Sequence, residues 1–540
     1  MAIAEKTPVV IDAELANSSN SSSRTPSDRG DTTASQPASV VLSTTTDDVQ
    51  PTTPPGGSIP LLWKIAAVVL VSSIRFGSSW SSGITGAMKT TLKKELKINN
   101  SQFSLLEASE DFMTLNLILW SGLVTDRIGG ASALVYGNAI FTVGSILVAA
   151  AAQVRSFQFM IGGRVICAIG DIATQIAQYK VFSSWFPPSN GFASTLALEL
   201  AIGKIGGFAG KSSANIIAKN TGNFAWVFWI SVFMNLFTNF ATAGFYWFSK
   251  IARAKFSDNI DPSTGEKLTE KNKKFELRKA LQLPWIFWSV LAFSLFQTSA
   301  AIVFTQNATE LAEQRFKIDS ITAGWYSALT QYAGFFLVPC IGVFVDVLGN
   351  RLSLMTLCAF GMVASMSLVA FSNTMAGTAA AFGIYGVASS FGPTIIIDSI
   401  RTSMWHQSVF GSAYALKIAM NNAMNIIIRI STGALQDRDN NSYHNVVIIY
   451  MALTAAALCV AIVLILSATF VSQNLGHLQW TRKQRRANGD RWNERKKAFE
   501  EGAEGEKNRT VSLVCGGMLL LLMGGGWAAF LWGAVNGKTE

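Results

Sequence analysis

Charged and amide side chains interrupt several long apolar runs of this sequence, at spacings that would let them bind a charged solute. The candidates are Arg75, Asp171, Gln175, Gln178, Glu199, Lys204, Lys417, Asn421 and Arg429. An ionised side chain in hydrocarbon costs at least about 2.5 kcal/mol, so it normally faces a polar cavity or a charged partner. We therefore predict that these residues line a binding site. Their mixed charges suit a small zwitterionic or anionic solute better than a sugar or a lipid.

The spacing of these residues places them on single helix faces. Ser78, Ser79 and Ser82 follow Arg75 at offsets of three, four and seven residues, and Gln175 and Gln178 follow Asp171 at four and seven. Lys417, Asn421, Asn425 and Arg429 are each four residues apart. Glycines 203, 206, 207 and 210 lie near Glu199 and Lys204, and this stripe predicts close helix packing rather than solute contact.

Other charged residues in the runs have two interpretations. Arg164 and Arg429 either contact a solute or form ion pairs that lock neighbouring helices, because intramembrane charges also pair for structural reasons. Glu107, Glu110 and Asp111 lie near the start of the second apolar run. We expect these three carboxylates to form a solvated mouth rather than a binding site; the alternative is that one of them accepts a proton.

Long apolar helices must position these side chains. The chain has 540 residues, of which 50% are hydrophobic and only 14% charged, a composition unlike that of an average soluble protein. A spanning helix needs about 20 mostly apolar residues. Thirteen runs meet this requirement: 61–87, 102–124, 131–152, 157–183, 190–217, 223–249, 284–309, 321–346, 351–371, 376–398, 408–434, 445–472 and 511–534. We therefore predict an all-α membrane protein.

The runs divide the chain into six regions. Residues 1–60 are rich in Ser, Thr and Pro and are predicted to be a disordered cytosolic tail. Residues 61–249 and 284–472 form two six-helix halves, joined by a basic cytosolic linker at 250–283. A second basic linker at 473–510 leads to an extra transmembrane helix and short tail at 511–540.

The formal net charge of +10 arises mainly from the two linkers. Both linkers lie in the cytosol if the amino-terminal tail does, as the positive-inside rule requires. This placement favours contact with lipid headgroups over nucleic-acid binding, so no nucleic-acid partner is predicted. One segment conflicts with the rule, because "MKTTLKKELK" at 88–97 is basic but would lie on the lumenal side.

A short motif occurs once in each half. "GLVTDRIGG" at 122–130 and "GVFVDVLGN" at 342–350 are offset by 220 residues, as a duplicated six-helix unit predicts. The predicted gating residues are Gly122, Asp126, Arg127 and Gly129 in the first copy and Gly342, Asp346, Gly349 and Arg351 in the second. A carboxylate at such a turn can lie against a helix amino terminus and form a breakable latch. The alternative is that each Asp only caps the following helix.

No residue pattern indicates covalent chemistry. The histidines (His406, His444 and His477) form no metal or triad pattern, and the five cysteines lie within apolar runs rather than in paired loops. A phosphate-binding glycine loop is also missing from the sequence. We therefore predict neither an enzyme nor a metal site, and no cofactor.

The repeated motif resembles the cytosolic loop between the second and third helices of major facilitator superfamily transporters. "GRVICAIGDIATQIAQYKVFSSWF" (163–186), "LALELAIGKIGG" (196–207) and "FGSAYALKIAMNNAMNIIIRISTGALQD" (410–437) further resemble helices four, five and eleven of the superfamily's lysosomal dipeptide uniporter branch. The superfamily resemblance implies two six-helix halves and transport by alternating access, and it covers roughly residues 61–472. The branch resemblance covers about a sixth of the chain.

The branch implies that an acidic residue on helix four and an arginine on helix five hold the charged ends of a peptide. In this sequence Asp171 stands one position before the branch's glutamate, and Lys204 replaces the arginine after a one-residue gap. A lysine cannot bind a carboxylate through two parallel hydrogen bonds as arginine does. The branch's Asp-Asn-Pro in helix one is replaced by Gly83, Ile84 and Thr85. Dipeptide specificity is therefore a hypothesis.

Three functions remain open on the sequence. The first is a multi-pass transporter of a small zwitterionic or anionic solute such as a dipeptide, in a lysosomal or vacuolar membrane or in the plasma membrane. The second is a proton-coupled symporter of organic anions or amino acids, with Asp171 or Glu199 as the proton carrier. The third is a membrane scaffold or receptor that does not transport. An accessory membrane subunit is a further expected partner, beside the solute and the lipid bilayer.

Overall fold

Helices make up nearly all of the chain that the structure describes, and no strand occurs in it. The computed structural model describes residues 59–186, 191–256, 283–372, 374–405, 410–470 and 473–537. The predicted tail and most of the first linker lie outside these residues.

Within the described residues, seven helices precede the linker: α1 (Leu61–Ala87), α2 (Lys89–Leu96), α3 (Asn100–Ile128), α4 (Gly130–Val154), α5 (Phe157–Trp185), α6 (Phe192–Thr221) and α7 (Ala225–Lys255). Seven follow it: α8 (Trp285–Phe316), α9 (Ser320–Tyr332), α10 (Gly334–Leu348), α11 (Arg351–Phe371), α12 (Met375–Ser403), α13 (Phe410–Arg438) and α14 (His444–Phe470). The carboxyl-terminal region adds α15 (Gln473–Gly476), a short 3-10 helix (His477–Gln479), α16 (Arg482–Ala487), α17 (Gly489–Glu501) and α18 (Ala503–Asn536).

Eleven helices among the described residues are long and apolar enough to cross a membrane, with α9 and α10 counted as one. Helices α3 and α13 are also full length, at 29 residues each, but they carry more charge. Together these account for the thirteen runs predicted from the sequence. The predicted all-α membrane fold is confirmed.

The glycine stripe of α6 lets this helix pack directly on α1. A Cβ atom on Gly206 would lie 2.5 Å from the carbonyl oxygen of Phe76, and one on Gly210 would lie 2.7 Å from that of Trp80. Only glycine permits two helix backbones to approach this closely. The stripe therefore fixes α6 beside the polar face of α1.

The extra helix α18 packs against both halves. Its Phe530 ring stacks on Phe112 of α3 with centroids 4.1 Å apart, and its Gly526 lies against the backbone of Ala423 in α13. The helix begins at Ala503, earlier than the predicted apolar start at 511. Its polar first turns are fixed by side-chain hydrogen bonds, since the Asn508 and Ser512 side chains both donate to the carbonyl oxygen of Leu283.

Candidate functional site: a polar cavity between the halves

A cavity of about 440 Å³ lies between the two halves. This volume is within the range of about 300–1,000 Å³ that is typical of small-molecule sites. Seven predicted residues line it: Arg75, Asp171, Gln175, Lys204, Lys417, Asn421 and Arg429. The serine face of α1 and Asn425 also line it, as their spacing predicts.

Two predicted site residues lie behind the cavity wall instead. The Gln178 side chain is buried and donates a hydrogen bond to the carbonyl oxygen of Val71, at 3.0 Å. Glu199 is fully buried, and one of its carboxylate oxygens lies 3.5 Å from Nε of Arg75. Glu199 therefore faces the site through Arg75 rather than directly.

Lys204 of α6 and Lys417 of α13 bring two positive charges to the cavity from opposite halves. Within the described residues, no carboxylate lies within ion-pair distance of either ammonium group; Lys417 Nζ lies 5.7 Å from the centre of the Tyr414 ring. The described partner of Asp171 is Gln175, whose amide donates to the Asp171 carboxylate at 2.6 Å. The cavity thus contains ammonium groups that a solute carboxylate could neutralise.

Lys211 is a cavity residue that the sequence analysis missed. Its ammonium group donates to the carbonyl oxygen of Thr305, at 2.5 Å, and so crosses from α6 to α8. It lies seven residues after Lys204, a spacing that places both lysines on one helix face. That spacing could have identified it.

We define the far end of the bundle as the end where α1 finishes and the near end as the end where α1 begins. At the far end, Glu107 is only 3% exposed and joins the halves. Its carboxylate accepts from Arg164 at 3.2 Å and from Arg429 at 3.3 Å, and Asp111 accepts from Arg429 Nε at 2.6 Å. The prediction of a solvated mouth is wrong for Glu107, which is buried between two arginines, whereas Asp111 pairs with Arg429 and lines the cavity.

A second buried ion cluster joins the halves at the far end. Glu310 of α8 is 3% exposed, and its two oxygens lie 2.8 Å from Lys89 Nζ and 2.6 Å from Lys93 Nζ. The Tyr443 hydroxyl also donates to Glu310, at 2.5 Å. These contacts explain why "MKTTLKKELK" is basic, since two of its lysines pair inside the protein rather than face lipid.

At the near end, Asp346 of α10 lies against the amino terminus of α6 in the other half. Its carboxylate accepts from the Ser194 backbone N–H at 2.8 Å, the Ser194 hydroxyl at 2.5 Å and the Ala193 N–H at 3.3 Å. A carboxylate is favoured there by the unpaired N–H groups and the positive end of the helix dipole. Gly342, one turn earlier, permits the approach, because a Cβ there would lie 2.8 Å from the Ala193 carbonyl oxygen.

Comparison with known proteins identifies the architecture around this cavity. The sequence profile of the Major Facilitator Superfamily matches residues 71–417. The chain belongs to this superfamily. Its fold is similar to that of the proton:xylose symporter XylE, solved with 6-bromo-6-deoxy-D-glucose, with a TM-score of 0.59 over 78% of this chain and 99% of that chain. At 13% sequence identity this likeness shows the fold alone.

Curated relatives of this major facilitator transporter match it over a shorter stretch. The lysosomal dipeptide transporters MFSD1 of Homo sapiens and Mus musculus are 25% and 26% identical to it, each over 150 residues. This stretch is 27% of the present chain and 31% of the human protein, so the chain spans about a third of the length of the curated relatives it matches.

The superfamily's repeated loop differs between the two halves of this transporter. In the second copy, Arg351 is buried and its Nε lies 2.5 Å from Asp398, while Gly349 has a φ of +70° that favours glycine. In the first copy, Gly129 has a φ of +90°, Arg127 is exposed and Gly122 has open space around it. The side chain of Asp126 lies outside the described ones. A carboxylate contact between the two halves is therefore described for the second copy.

Replacing Glu310 with glutamine is expected to lower the melting temperature of the purified protein by several degrees. The change leaves the buried ammonium group of Lys89 and the half-buried one of Lys93 without their carboxylate, and breaking a buried pair typically costs about 3–5 kcal/mol. Glu95→Gln is the matched control, because Glu95 pairs with Arg155 at the surface, where the side chains are 30% and 62% exposed. Equal melting temperatures for the two variants would show that the Glu310 cluster does not hold the halves together.

Proposed function

We propose that this protein is a secondary transporter that moves a small zwitterionic or anionic solute by alternating access between its two halves. The observation that carries the proposal is the pair Lys204 and Lys417, one from each half, at a shared cavity and without an ion-paired carboxylate in the described chain. A lysine in mid-span is retained when it serves a partner or a pathway. A solute carboxylate bound by both lysines would draw the halves together.

The negative side of the same cavity suits an amino group. Asp171 lines the cavity from α5, near the positive charge of Arg75, and its described hydrogen bond comes from the neutral amide of Gln175. A carboxylate with a neutral partner keeps its capacity to accept from an ammonium group. We infer that Asp171 binds the amino end of the solute while Lys204 and Lys417 bind its carboxyl end.

Dipeptides are our first choice among zwitterions. The names of the human and mouse relatives state that they transport dipeptides in lysosomes. Asp171 and Lys204 occupy positions close to the two charged ligand positions of that branch, on α5 and α6. The exchange of arginine for lysine changes the hydrogen-bond geometry, so we expect a different preference among dipeptides.

Uptake by the purified protein in liposomes tests this function. The panel comprises radiolabelled dipeptides, amino acids, dicarboxylates and a neutral sugar. We expect a dipeptide or another solute with a carboxylate to accumulate above protein-free liposomes, and the sugar not to. Uptake of the sugar alone would refute the charge argument, and no uptake of any member would favour the scaffold or receptor function.

Proton coupling is the second candidate, and one observation favours it. Glu199 is completely buried, and its described polar neighbours are Arg75, which approaches to 3.5 Å from the cavity, and the hydroxyl of Tyr179. A carboxylate so weakly solvated would bind a proton readily whenever a solute draws Arg75 away. Uptake that rises with an imposed pH gradient in the wild type, and loses this dependence in Glu199→Gln, would establish coupling. Uptake independent of the gradient would contradict proton coupling.

We place the near end of the bundle in the cytosol, with the amino-terminal tail and the linker at 250–283, and the protein in a lysosomal or vacuolar membrane. The basic residues of both linkers support this orientation through the positive-inside rule. Protease added outside sealed vesicles of known orientation is expected to cleave both segments from the cytosolic side. Cleavage of either segment only from the lumenal side would contradict the topology. The proposal assigns the chain no catalytic step and no cofactor.

A further inference from the structure

The segment 473–501, between α14 and α18, carries a positive surface that the transport function does not use. The whole segment contains eight Lys or Arg against four Asp or Glu. The exposed cations among them are Lys483, Arg486, Arg491 and Lys497. Because the segment connects two helices that are long and apolar enough to span the membrane, both of its ends lie at the membrane boundary on the near side. Its exposed cations are therefore held close to lipid headgroups.

The opposite face of this segment is fixed to the carboxyl-terminal half. Trp492 stacks on Trp405, which follows α12, with ring centroids 4.5 Å apart, and Phe499 lies 5.2 Å from the same ring. Leu475 and Leu478 are fully buried. The apolar and basic faces thus point to different surroundings, so headgroup binding does not compete with docking.

The docked segment also holds the loop that carries the near-end latch. The Asn350 N–H donates to the Gln479 carbonyl oxygen at 3.4 Å, and Arg351 donates to the Leu478 carbonyl oxygen at 3.2 Å. Gln479 donates through its amide to the hydroxyl of Ser353 at 3.0 Å. Asp346, which binds the other half, lies in the last turn of α10 directly before this loop. A displacement of the segment would therefore be transmitted to the Asp346 contact through these hydrogen bonds.

We propose that the segment 473–501 binds anionic phospholipid headgroups of the adjoining leaflet, and that this binding stabilises the closed near end of the transporter. Clusters of four or more Lys or Arg beside a transmembrane helix recognise anionic lipid by charge. Since the lipid and the protein core hold opposite faces of the segment, a bound lipid favours the docked position. The docked position keeps the loop at 349–353, and with it Asp346, in place. The second part of this proposal rests on the proposed alternating access.

Two measurements that need no transported solute test the proposal on the full-length protein. In the first, the purified protein is equilibrated with phosphatidylcholine and phosphatidylserine, and the retained phosphatidylserine is counted by native mass spectrometry. The test variant combines Lys483→Gln, Arg486→Gln, Arg491→Gln and Lys497→Gln. The control combines Lys94→Gln, Lys97→Gln, Lys219→Gln and Lys317→Gln, which removes four exposed lysines at the far end. We expect the test variant alone to lose phosphatidylserine.

The second measurement follows the near end itself. Ser183→Cys introduces a half-buried thiol at α5, where Arg401 of the other half donates to the Ser183 carbonyl oxygen at 3.0 Å. Its labelling by a membrane-impermeant maleimide is corrected for the native cysteines. We expect phosphatidylserine vesicles to slow labelling about fivefold or more relative to phosphatidylcholine vesicles, the lower end of typical coupling between sites. The test variant is expected to label equally fast in both.

Equal retention of phosphatidylserine by the test variant and the control would overturn the lipid site. An unchanged labelling rate in the wild type would overturn the coupling to the gate. Because neither readout needs transport, a protein that binds phosphatidylserine but takes up no solute would refute the proposed function and leave the lipid site standing.

Discussion

Replacing Lys204 with alanine is expected to abolish measurable uptake, whereas Lys204→Arg should retain part of it. The Lys204 ammonium group lies at the cavity, and within the described chain no carboxylate is paired with it. The loss of a hydrogen bond to a charged group costs about 1.5–3 kcal/mol. Solute affinity should therefore fall roughly ten- to hundredfold. Uptake by the wild type, Lys204→Ala, Lys204→Arg and the control Lys219→Ala, an exposed lysine on the same helix, measures the effect.

A structural ion pair between Lys204 and Asp171 is the competing explanation for an inactive Lys204→Ala. The described contact of Asp171 is with Gln175, which speaks against that pair. The double variant Asp171→Asn and Lys204→Gln separates the two explanations. We expect it to be as inactive as Lys204→Ala, because both proposed solute ligands are lost. Restored uptake would show that the two residues neutralise each other and that neither binds the solute charge.

Asp346→Ala is expected to slow transport strongly while it leaves solute affinity nearly unchanged. The variant loses three hydrogen bonds from α6 that join the halves at the near end, and none of these groups lines the cavity. The Asp346 contact forms in one conformation and does not involve the solute. Its loss therefore changes the populations of the conformations and leaves the binding site itself unchanged. Coupling between sites is typically about 1–3 kcal/mol, and the loss of a contact of this free energy changes the ratio of the two conformations roughly five- to 150-fold.

Asp319→Ala is the matched control for Asp346→Ala. Asp319 also accepts from a helix amino terminus, through the Thr322 N–H at 3.3 Å, but both residues belong to one half. It should lower stability slightly, as the loss of a helix cap does, without changing turnover. Transport rates and binding constants measured on the same preparations decide the matter. Unchanged turnover with lost binding in Asp346→Ala would contradict the latch.

The sequence predicts the fold and the cavity faces because these depend on local periodicity. Each apolar run becomes a helix, and the offsets of three, four and seven after Arg75 place three serines on the cavity side of α1. The 220-residue repeat likewise predicts two halves with one motif each. The superfamily predicted from this repeat is confirmed. The roles of the individual site residues stay predictions.

The partners of the buried charges could not be predicted. Glu107 pairs with Arg429, which lies 322 residues later in the chain, and only the packing of α3 against α13 brings them together. Likewise, Glu310 pairs with Lys89 only because the folded chain brings α8 beside α2. Gln178 shares a helix face with Asp171 but bonds to the α1 backbone, because a face of one helix can meet both a cavity and a neighbour. Periodicity identifies a polar face but not what it contacts.

Counterflow in proteoliposomes tests alternating access most directly. Vesicles containing the purified protein are preloaded with an unlabelled solute from the uptake panel, and entry of the same radiolabelled solute is followed. We predict a transient accumulation of label above its equilibrium level in the wild type, and none in Lys204→Ala. A carrier whose site faces one side at a time exchanges solute in this way. Entry that is never accelerated by internal solute would contradict the account.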